Sequence, residues 1–201
     1  GRPGSHRSTA GYPQARVVGV LAVGSRLMAD FVIGGLHQGE SLLARPLIDQ
    51  VPDRSVLILD RGFVDHAMFA RIPAGGADRH FLCRAKKNLV ATRVHRLGRN
   101  DSLVEIAVSA PRRREDPTLP KTLVVRLIHY RIPGFRSSSL LTSMLDAARF
   151  PASAIVNLYH QRWEIETAYD EIKTHTLERE ETIRSRRADL VLQEIHGLLI
   201  A

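Results

Sequence analysis

The sequence predicts an α/β fold, because strand-like and helix-like patterns alternate along its 201 residues. The clearest strand is SVLILD at 55–60, a continuous apolar run that predicts burial on both faces and ends in a carboxylate. The clearest helix covers 152–174, where apolar residues recur at helical spacing. Hydrophobic residues make up 44 % of the chain, so a sizeable core is expected and wholesale disorder is excluded.

The first part of the chain alternates between strands and short helices. Residues 1–14 are rich in Gly, Pro and Ser, which predicts a loop. Alternating or continuous apolar residues predict four strands, at 15–23, 27–35, 55–60 and 80–85. Helical spacing predicts one helix over 39–50 and another over 63–72.

The middle of the chain has a different character. Strict alternation predicts three further strands, at 89–97, 102–108 and 122–132. Residues 98–101 (Gly-Arg-Asn-Asp) are typical of a hairpin turn, and 111–121 is expected to be an exposed basic loop. We therefore interpret 86–149 as a β-rich insertion in a core formed by 15–85 and 150–201. A further helix is predicted over 188–201.

The positive charge is concentrated in one segment. The formal net charge is +8 and the isoelectric point is about 10.3. Residues 84–136 contain 13 Lys or Arg and 4 Asp or Glu, a local net charge of +9, so the remainder carries −1. Such a segment favours a polyanionic partner, although a solvated basic face is the alternative.

The chain lacks the motifs of several enzyme classes. It contains no Walker loop, no Gly-x-Gly-x-x-Gly, no Gly-x-Ser-x-Gly and no Cys/His zinc spacing. The single cysteine, Cys83, excludes an internal disulfide and fits a reducing compartment. It lies in the apolar-flanked run HFLCRA and is expected to be a buried thiol. No apolar run approaches the roughly 20 residues of a membrane span, so no membrane partner is expected.

Four polar residues near the end of the chain fall on one narrow stripe if the helix over 152–174 is continuous. Tyr159, Arg162, Glu166 and Lys173 have offsets of 0, 3, 7 and 14, which place them within about 60° on a helical wheel. A carboxylate flanked by a phenol, a guanidinium and an ammonium suits metal-dependent chemistry on a nucleic-acid backbone. Trp163 lies just beyond the stripe and is expected to pack against neighbours.

Two carboxylates are the candidate metal ligands. Asp60 ends a predicted central strand, where α/β folds place their sites, and Glu166 lies within the stripe. Together they provide the hard oxygen ligands that Mg²⁺ prefers, with Asp170 as an alternative. Each also has an ordinary role: Asp60 as a turn residue, Glu166 in a surface pair with Arg162, and Tyr159 at the edge of the core.

These residues resemble a known family. The segment YHQRWEIETAYDEIK at 159–173 matches the Y-x2-R-x3-E-x6-K signature of bacterial insertion-sequence DDE transposases of the IS-four group. The segment LILDRGF at 57–63 resembles the part of that family that carries its second catalytic Asp. The similarity covers nearly all of the chain.

The resemblance implies a ribonuclease H-like core with a β-rich insertion before the last catalytic helix. It implies that Asp60 and Glu166 are catalytic Mg²⁺ ligands, with Mn²⁺ as a substitute. It also implies that Tyr159, Arg162 and Lys173 contact phosphates of the transposon end. The expected partners are the double-stranded DNA of transposon ends and target, in the cytoplasm at the nucleoid, and a homodimer is compatible.

The chain departs from the family at its beginning. The family uses a third carboxylate on the opening strand of the core, and Asp30, Asp49 and Asp53 do not lie in that context. The core is therefore expected to be incomplete at its N-terminal strand, and catalysis by this chain alone to be impaired. Two alternatives remain open, a remnant that only binds DNA and a related metal-dependent nuclease.

Overall fold

The computed structural model describes residues 15–25, 27–132, 134, 136–163, 185 and 187–200. The chain divides into two units, one formed by residues 1–47 and 162–201 and the other by residues 48–161. Within the described ranges, no helix combines the length and apolar character that crossing a membrane requires.

The first unit contains an antiparallel hairpin. Strands β1 (Ala15–Leu21) and β2 (Met28–Gly35) pair along their length, as the sequence predicts. The turn between them includes Gly24 at a φ of 92°, a conformation that glycine adopts without steric cost. The last helix of the chain, Ala188–Ile200, belongs to the same unit and is also as predicted. Its His196 contacts the ring of Phe31 on β2 edge to face, at 5.2 Å between centroids.

The single helix predicted over 39–50 is wrong, because two short helices occupy this range. Helix α1 (Glu40–Leu43) ends at Ala44, and α2 (Arg45–Asp49) follows directly. Pro46, in the first turn of α2, lacks the N–H that would bond to the carbonyl of Leu42, so the hydrogen-bond ladder of α1 does not continue into α2.

The second unit is built on a mixed six-stranded sheet. Its strands are β3 (Val56–Leu59), β4 (His80–Arg84), β5 (Thr92–Gly98), β6 (Asp101–Ala107), β7 (Thr122–Tyr130) and β8 (Ser138–Thr142). The order is β3-β4-β8-β7-β6-β5, with β3 and β4 parallel and the other pairs antiparallel. The strands of the predicted β-rich segment therefore continue the sheet that contains β3 and β4.

Strand β8 was missed by the sequence analysis, because its serines have little β-propensity. The seven predicted strands are all present, with ends that shift by up to three residues. The helices of this unit are α3 (His66–Ala74), α4 (Ala110–Glu115) and α5 (Ala152–His160). Helix α4 corrects the loop predicted over 111–121, since Pro111 lies in its first turn, where proline is well tolerated.

Helices cover both faces of the sheet. Phe81 stacks on Phe69 of α3 with 4.2 Å between ring centroids. The next residue, Leu82, packs with Ile155 of α5 in a separate buried cluster. Successive strand residues point to opposite faces, so α3 and α5 lie on opposite sides of β4. The predicted α/β class is confirmed, in the form of a mixed sheet between helices.

Two expectations about the ends of this unit are wrong. Among the described strands β3 has one neighbour, β4, and only its Leu59 is buried, so β3 is an edge strand of the described sheet. The helix predicted to run from 152 to 174 ends at His160, where Gln161 donates its N–H to the carbonyl of Leu158 at 3.1 Å. No glycine or proline marks this break in the sequence.

A buried arginine joins several parts of the second unit. The side chain of Arg126 is fully buried and donates from Nε and Nη2 to the carboxylate of Asp101, at 2.8 and 2.5 Å. Its Nη1 donates to the carbonyl oxygens of Met144 and Phe150, at 3.2 and 2.7 Å. The bidentate pair and the two carbonyls satisfy the guanidinium, which makes its burial tolerable.

We expect Arg126→Met to lower the free energy of unfolding by about 3–5 kcal/mol, because it leaves the carboxylate of Asp101 in place without its partner. Urea denaturation of the whole chain measures this loss. Arg114→Met, at an exposed position of α4, is the control and should leave the urea midpoint nearly unchanged. Equal midpoints for the two variants would contradict this role of Arg126.

Candidate active site

Asp60 lies where the sequence analysis places it, at the carboxyl end of β3. It follows the buried Leu59 directly and is itself exposed. Its carbonyl accepts the N–H of Phe63 at 3.0 Å, which closes a short 3₁₀ turn after the strand. Because β4 runs parallel to β3, the carboxylate emerges beside the ends of two parallel strands. This is the position at which α/β sheets present catalytic groups.

A second carboxylate near this strand end, Asp65, has a structural role that the sequence analysis missed. Asp65 is buried and caps α3, because its Oδ1 accepts the N–H of Ala67 at 3.0 Å. Its Oδ2 lies 3.2 Å from Nη2 of Arg112, so the charge is paired. An Asp two residues before an apolar helical turn is the signal that could have identified this cap.

Tyr159 lies in the hydrophobic core of the second unit. Its side chain is 8 % exposed and packs with Leu82, Met144 and Ile155. This position corresponds to the alternative that the sequence left open, a tyrosine at the edge of the core. Because α5 ends at His160, a single continuous helix does not carry Tyr159 and Arg162 on one stripe.

Arg162 and Trp163 follow the end of α5 in sequence. The side chain of Arg162 is half-buried, and its guanidinium carbon lies 5.8 Å from the centroid of the Trp163 ring. The Trp163 side chain is 63 % exposed, so the expectation that it packs into the protein is wrong. An exposed aromatic ring with an adjacent guanidinium offers both a stacking surface and a phosphate-binding group.

Glu166, Asp170 and Lys173 lie outside the described residues, so their roles remain predictions. Within the described ranges, no group of three or more His, Cys, Asp or Glu side chains could hold a metal ion. The exposed carboxylate of Asp60 nevertheless has the ligand chemistry that Mg²⁺ requires, and a complete site would need further oxygen ligands.

The basic segment is mostly, but not entirely, at the surface. Nine of its 13 cations are exposed, namely Lys86, Lys87, Arg93, Arg96, Arg99, Arg114, Lys121, Arg131 and Arg136. Arg126 is buried and its charge is balanced by Asp101. Arg112 pairs with Asp65 and with Glu115, at 3.2 and 2.9 Å. The local charge count therefore includes structural pairs as well as cations available to a partner.

Cys83 is a core residue, as expected from the sequence. It is fully buried on β4, and burial raises the pKa of its thiol to about 12. A thiol in this state has almost no thiolate at neutral pH and is therefore a poor nucleophile.

Comparison with known proteins decides the family. The model of the family described as "Transposase DDE domain" matches residues 2–201. The chain belongs to this family. The DDE domain is 34 % identical over 191 residues to transposase InsG of insertion sequence element IS4 from Escherichia coli (strain K12). That alignment covers 94 % of this chain and 43 % of the relative.

Two other similarities accompany this match. The putative transposase InsZ of the same organism is 30 % identical over 80 residues, which is 40 % of this DDE domain and 27 % of the relative. The piggyBac transposase in a synaptic complex with hairpin DNA superposes with a TM-score of 0.49 at 12 % identity, covering 91 % of this chain and 38 % of that one. The DDE domain thus spans less than half the length of the relatives that it matches.

We expect Cys83 of the folded domain to resist thiol reagents at pH 8. The raised pKa reduces the thiolate share from roughly a quarter in unfolded chains to about one part in ten thousand. Rates of modification by a disulfide reagent, measured with and without urea, test this. A native thiol that reacts as fast as the denatured one would contradict its burial.

We expect Asp65→Ala to lower the free energy of unfolding by about 1–2 kcal/mol through loss of the α3 cap, with a further contribution from the loss of the Arg112 pair. Glu115→Ala is the matched control, because it removes the exposed partner of the same arginine. Thermal and urea unfolding of both variants distinguish the two carboxylates. A larger loss for the Glu115 variant would overturn the assignment.

Proposed function

We propose that this chain is part of the catalytic domain of a DNA transposase that cleaves and joins DNA at the ends of an insertion sequence. The observation that carries the proposal is the exposed Asp60 at the carboxyl end of β3, in a chain that belongs to the DDE transposases over its whole length. Nearby, Asp65 is buried and caps α3, whereas Asp60 is exposed at the end of the strand.

Asp60 and Glu166 are the proposed catalytic carboxylates and ligands of Mg²⁺, which Mn²⁺ could replace. Both are hard oxygen ligands, and both lie in the segments that resemble the family signature. A bound divalent ion supplies an activated water and neutralises charge on the leaving oxygen of a phosphodiester. The two carboxylates would fix the position of the ion, and the domain as a whole would hold the DNA end against it.

Arg162 and Lys173 are the proposed contacts to phosphates of the transposon end. A guanidinium binds phosphate in a bidentate manner, and an ammonium acts as a point charge. Arg162 has part of its side chain exposed beside Trp163, which supports this role. Tyr159 belongs to the same proposed set, although burial of its side chain restricts it to a contact made at the core edge.

The proposed architecture is a ribonuclease H-like core formed by 15–85 and 150–201 and interrupted by a β-rich insertion at 86–149. The antiparallel hairpin of β1 and β2, and the parallel pair of β3 and β4 connected through α3, support this assignment. The exposed cations of 84–136 support double-stranded DNA as the partner.

Binding of Mn²⁺ to the whole chain, followed by electron paramagnetic resonance of the free ion, tests the proposed ligands. We expect Asp60→Asn and Glu166→Gln each to weaken binding at least tenfold, since mutation even of residues that only orient a metal ligand commonly costs 10- to 100-fold. Glu115→Gln, an exposed carboxylate of α4, is the control and should bind as the unmodified chain does. Unchanged binding in both ligand variants would refute the metal site.

The DNA substrate separates this proposal from its alternatives. Metal-dependent cleavage that requires the terminal repeats of an insertion sequence supports a transposase, whereas cleavage of any duplex indicates a related nuclease. Binding without cleavage indicates a remnant that only holds DNA. Glu166→Ala should abolish cleavage and leave most non-specific duplex binding, because that binding depends on the basic segment.

A further inference from the structure

A shallow groove with an arginine rim lies on the sheet of the second unit, where the β5–β6 hairpin meets β7. Its volume is about 250 Å³. Three arginines and a histidine line it above two apolar residues, and these are Arg93, Arg96, Arg99, His129, Val104 and Leu127. All of them belong to the segment that carries the excess positive charge of the chain.

The strand register explains why the arginines share one face. Arg93 pairs with Val104 and Arg96 pairs with Ser102, and these two partners are two residues apart on β6. The register shifts between Arg93 and His95, so β5 contains one more residue than β6 at this point. Such a bulge turns Arg93 and Arg96, which would otherwise point to opposite faces, to the same side.

The face continues onto β7. Ser102 pairs with Leu127, and His129 lies two residues further along the same strand. The Nδ1 atom of His129 is 2.7 Å from Oγ of Ser139, which fixes the orientation of the ring. The groove is therefore a surface built across three strands, with cations at its rim and apolar side chains at its floor.

The three arginines are available to an external anion. In the part of the chain that the structure describes, none of them forms an ion pair with a carboxylate. Arg96 is held by a hydrogen bond from its Nε to the carbonyl of Gly98 at 3.1 Å, which leaves its terminal nitrogens for a ligand. Asp101, which also lines the groove, is neutralised by the bidentate contact with Arg126.

We infer that this groove binds the phosphodiester backbone of duplex DNA. Arginine side chains bind phosphate oxygens in a bidentate manner, and the apolar floor suits the sugars between phosphates. Because of the bulge, Arg93 and Arg96 are separated along the sheet by only two residues of β6, roughly 7 Å or about two base-pair steps, so they can contact different phosphates. The inference rests on the proposed function and assigns part of its DNA-binding surface to specific residues.

A charge-removal variant tests the groove. We expect the combined variant Arg93→Gln, Arg96→Gln and Arg99→Gln to lower the slope of log K against log salt by roughly 2.7, because each lost phosphate contact changes it by about 0.9. Fluorescence anisotropy with a labelled duplex, over roughly 50–200 mM salt, measures this slope. The matched control replaces Lys86, Lys87 and Lys121 by Gln. It removes the same charge from the same segment outside the groove, and its slope should fall by less than that of the groove variant.

A charge-preserving variant shows whether a reduced slope comes from lost charge or from misfolding. With Arg93, Arg96 and Arg99 all replaced by Lys, the slope should stay near that of the unmodified chain while affinity falls, since bidentate contacts are lost. Equal slopes for the variant with the three arginines replaced by Gln and for the control with Lys86, Lys87 and Lys121 replaced by Gln would overturn the inference that the groove binds DNA. DNA binding by the chain would then still stand. Absence of any salt-dependent duplex binding by the unmodified chain would overturn both the groove and the proposed function.

Discussion

The second unit depends on the buried guanidinium of Arg126, because this single group connects segments that are far apart in sequence. It binds the carboxylate at the start of β6 and two carbonyls in the connection between β8 and α5. A buried charge is tolerated only when its hydrogen bonds are satisfied, so all of these segments must be in place around the guanidinium in the folded protein. The arrangement fixes the hairpin turn at 99–100 and the start of α5 relative to the same sheet.

The sheet places a carboxylate near one of its edges and a group of arginines near the other. At one end, β3 places the exposed carboxylate of Asp60 beside the parallel strand β4. At the other end, β5 and the turn that follows it place the exposed Arg93, Arg96 and Arg99 around the groove. A single rigid sheet can therefore position the acidic group and the proposed phosphate-binding groove without contact between them. Rigid placement of this kind is what reactions on a long polymer require, since the reacting bond and the binding sites lie apart.

Local patterns predicted much of the fold. Seven strands and the position of Asp60 follow from alternating or continuous apolar residues, which local sequence encodes directly. The end of α5 at His160 could not be predicted, because no breaker residue marks it. The edge position of β3 could not be predicted either, because it depends on which strands pair. Burial of Arg126 could not be predicted, because the sequence around it does not distinguish it from the surface cations of the same segment. The roles of Glu166 and Lys173 rest on the sequence pattern and the family signature, because both residues lie outside the described residues.

The bulge in β5 has a consequence for comparing this protein with its relatives. Arg93 and Arg96 are three residues apart in sequence. They nevertheless share one face of the sheet, because Val94, which is 58 % exposed, bulges out between them. In a regular strand, two arginines separated by a single residue would present the same surface. An R-x-x-R segment and an R-x-R segment can therefore place two arginines on the same face in this fold, and a search for fixed spacing would separate proteins that share the proposed phosphate-binding face.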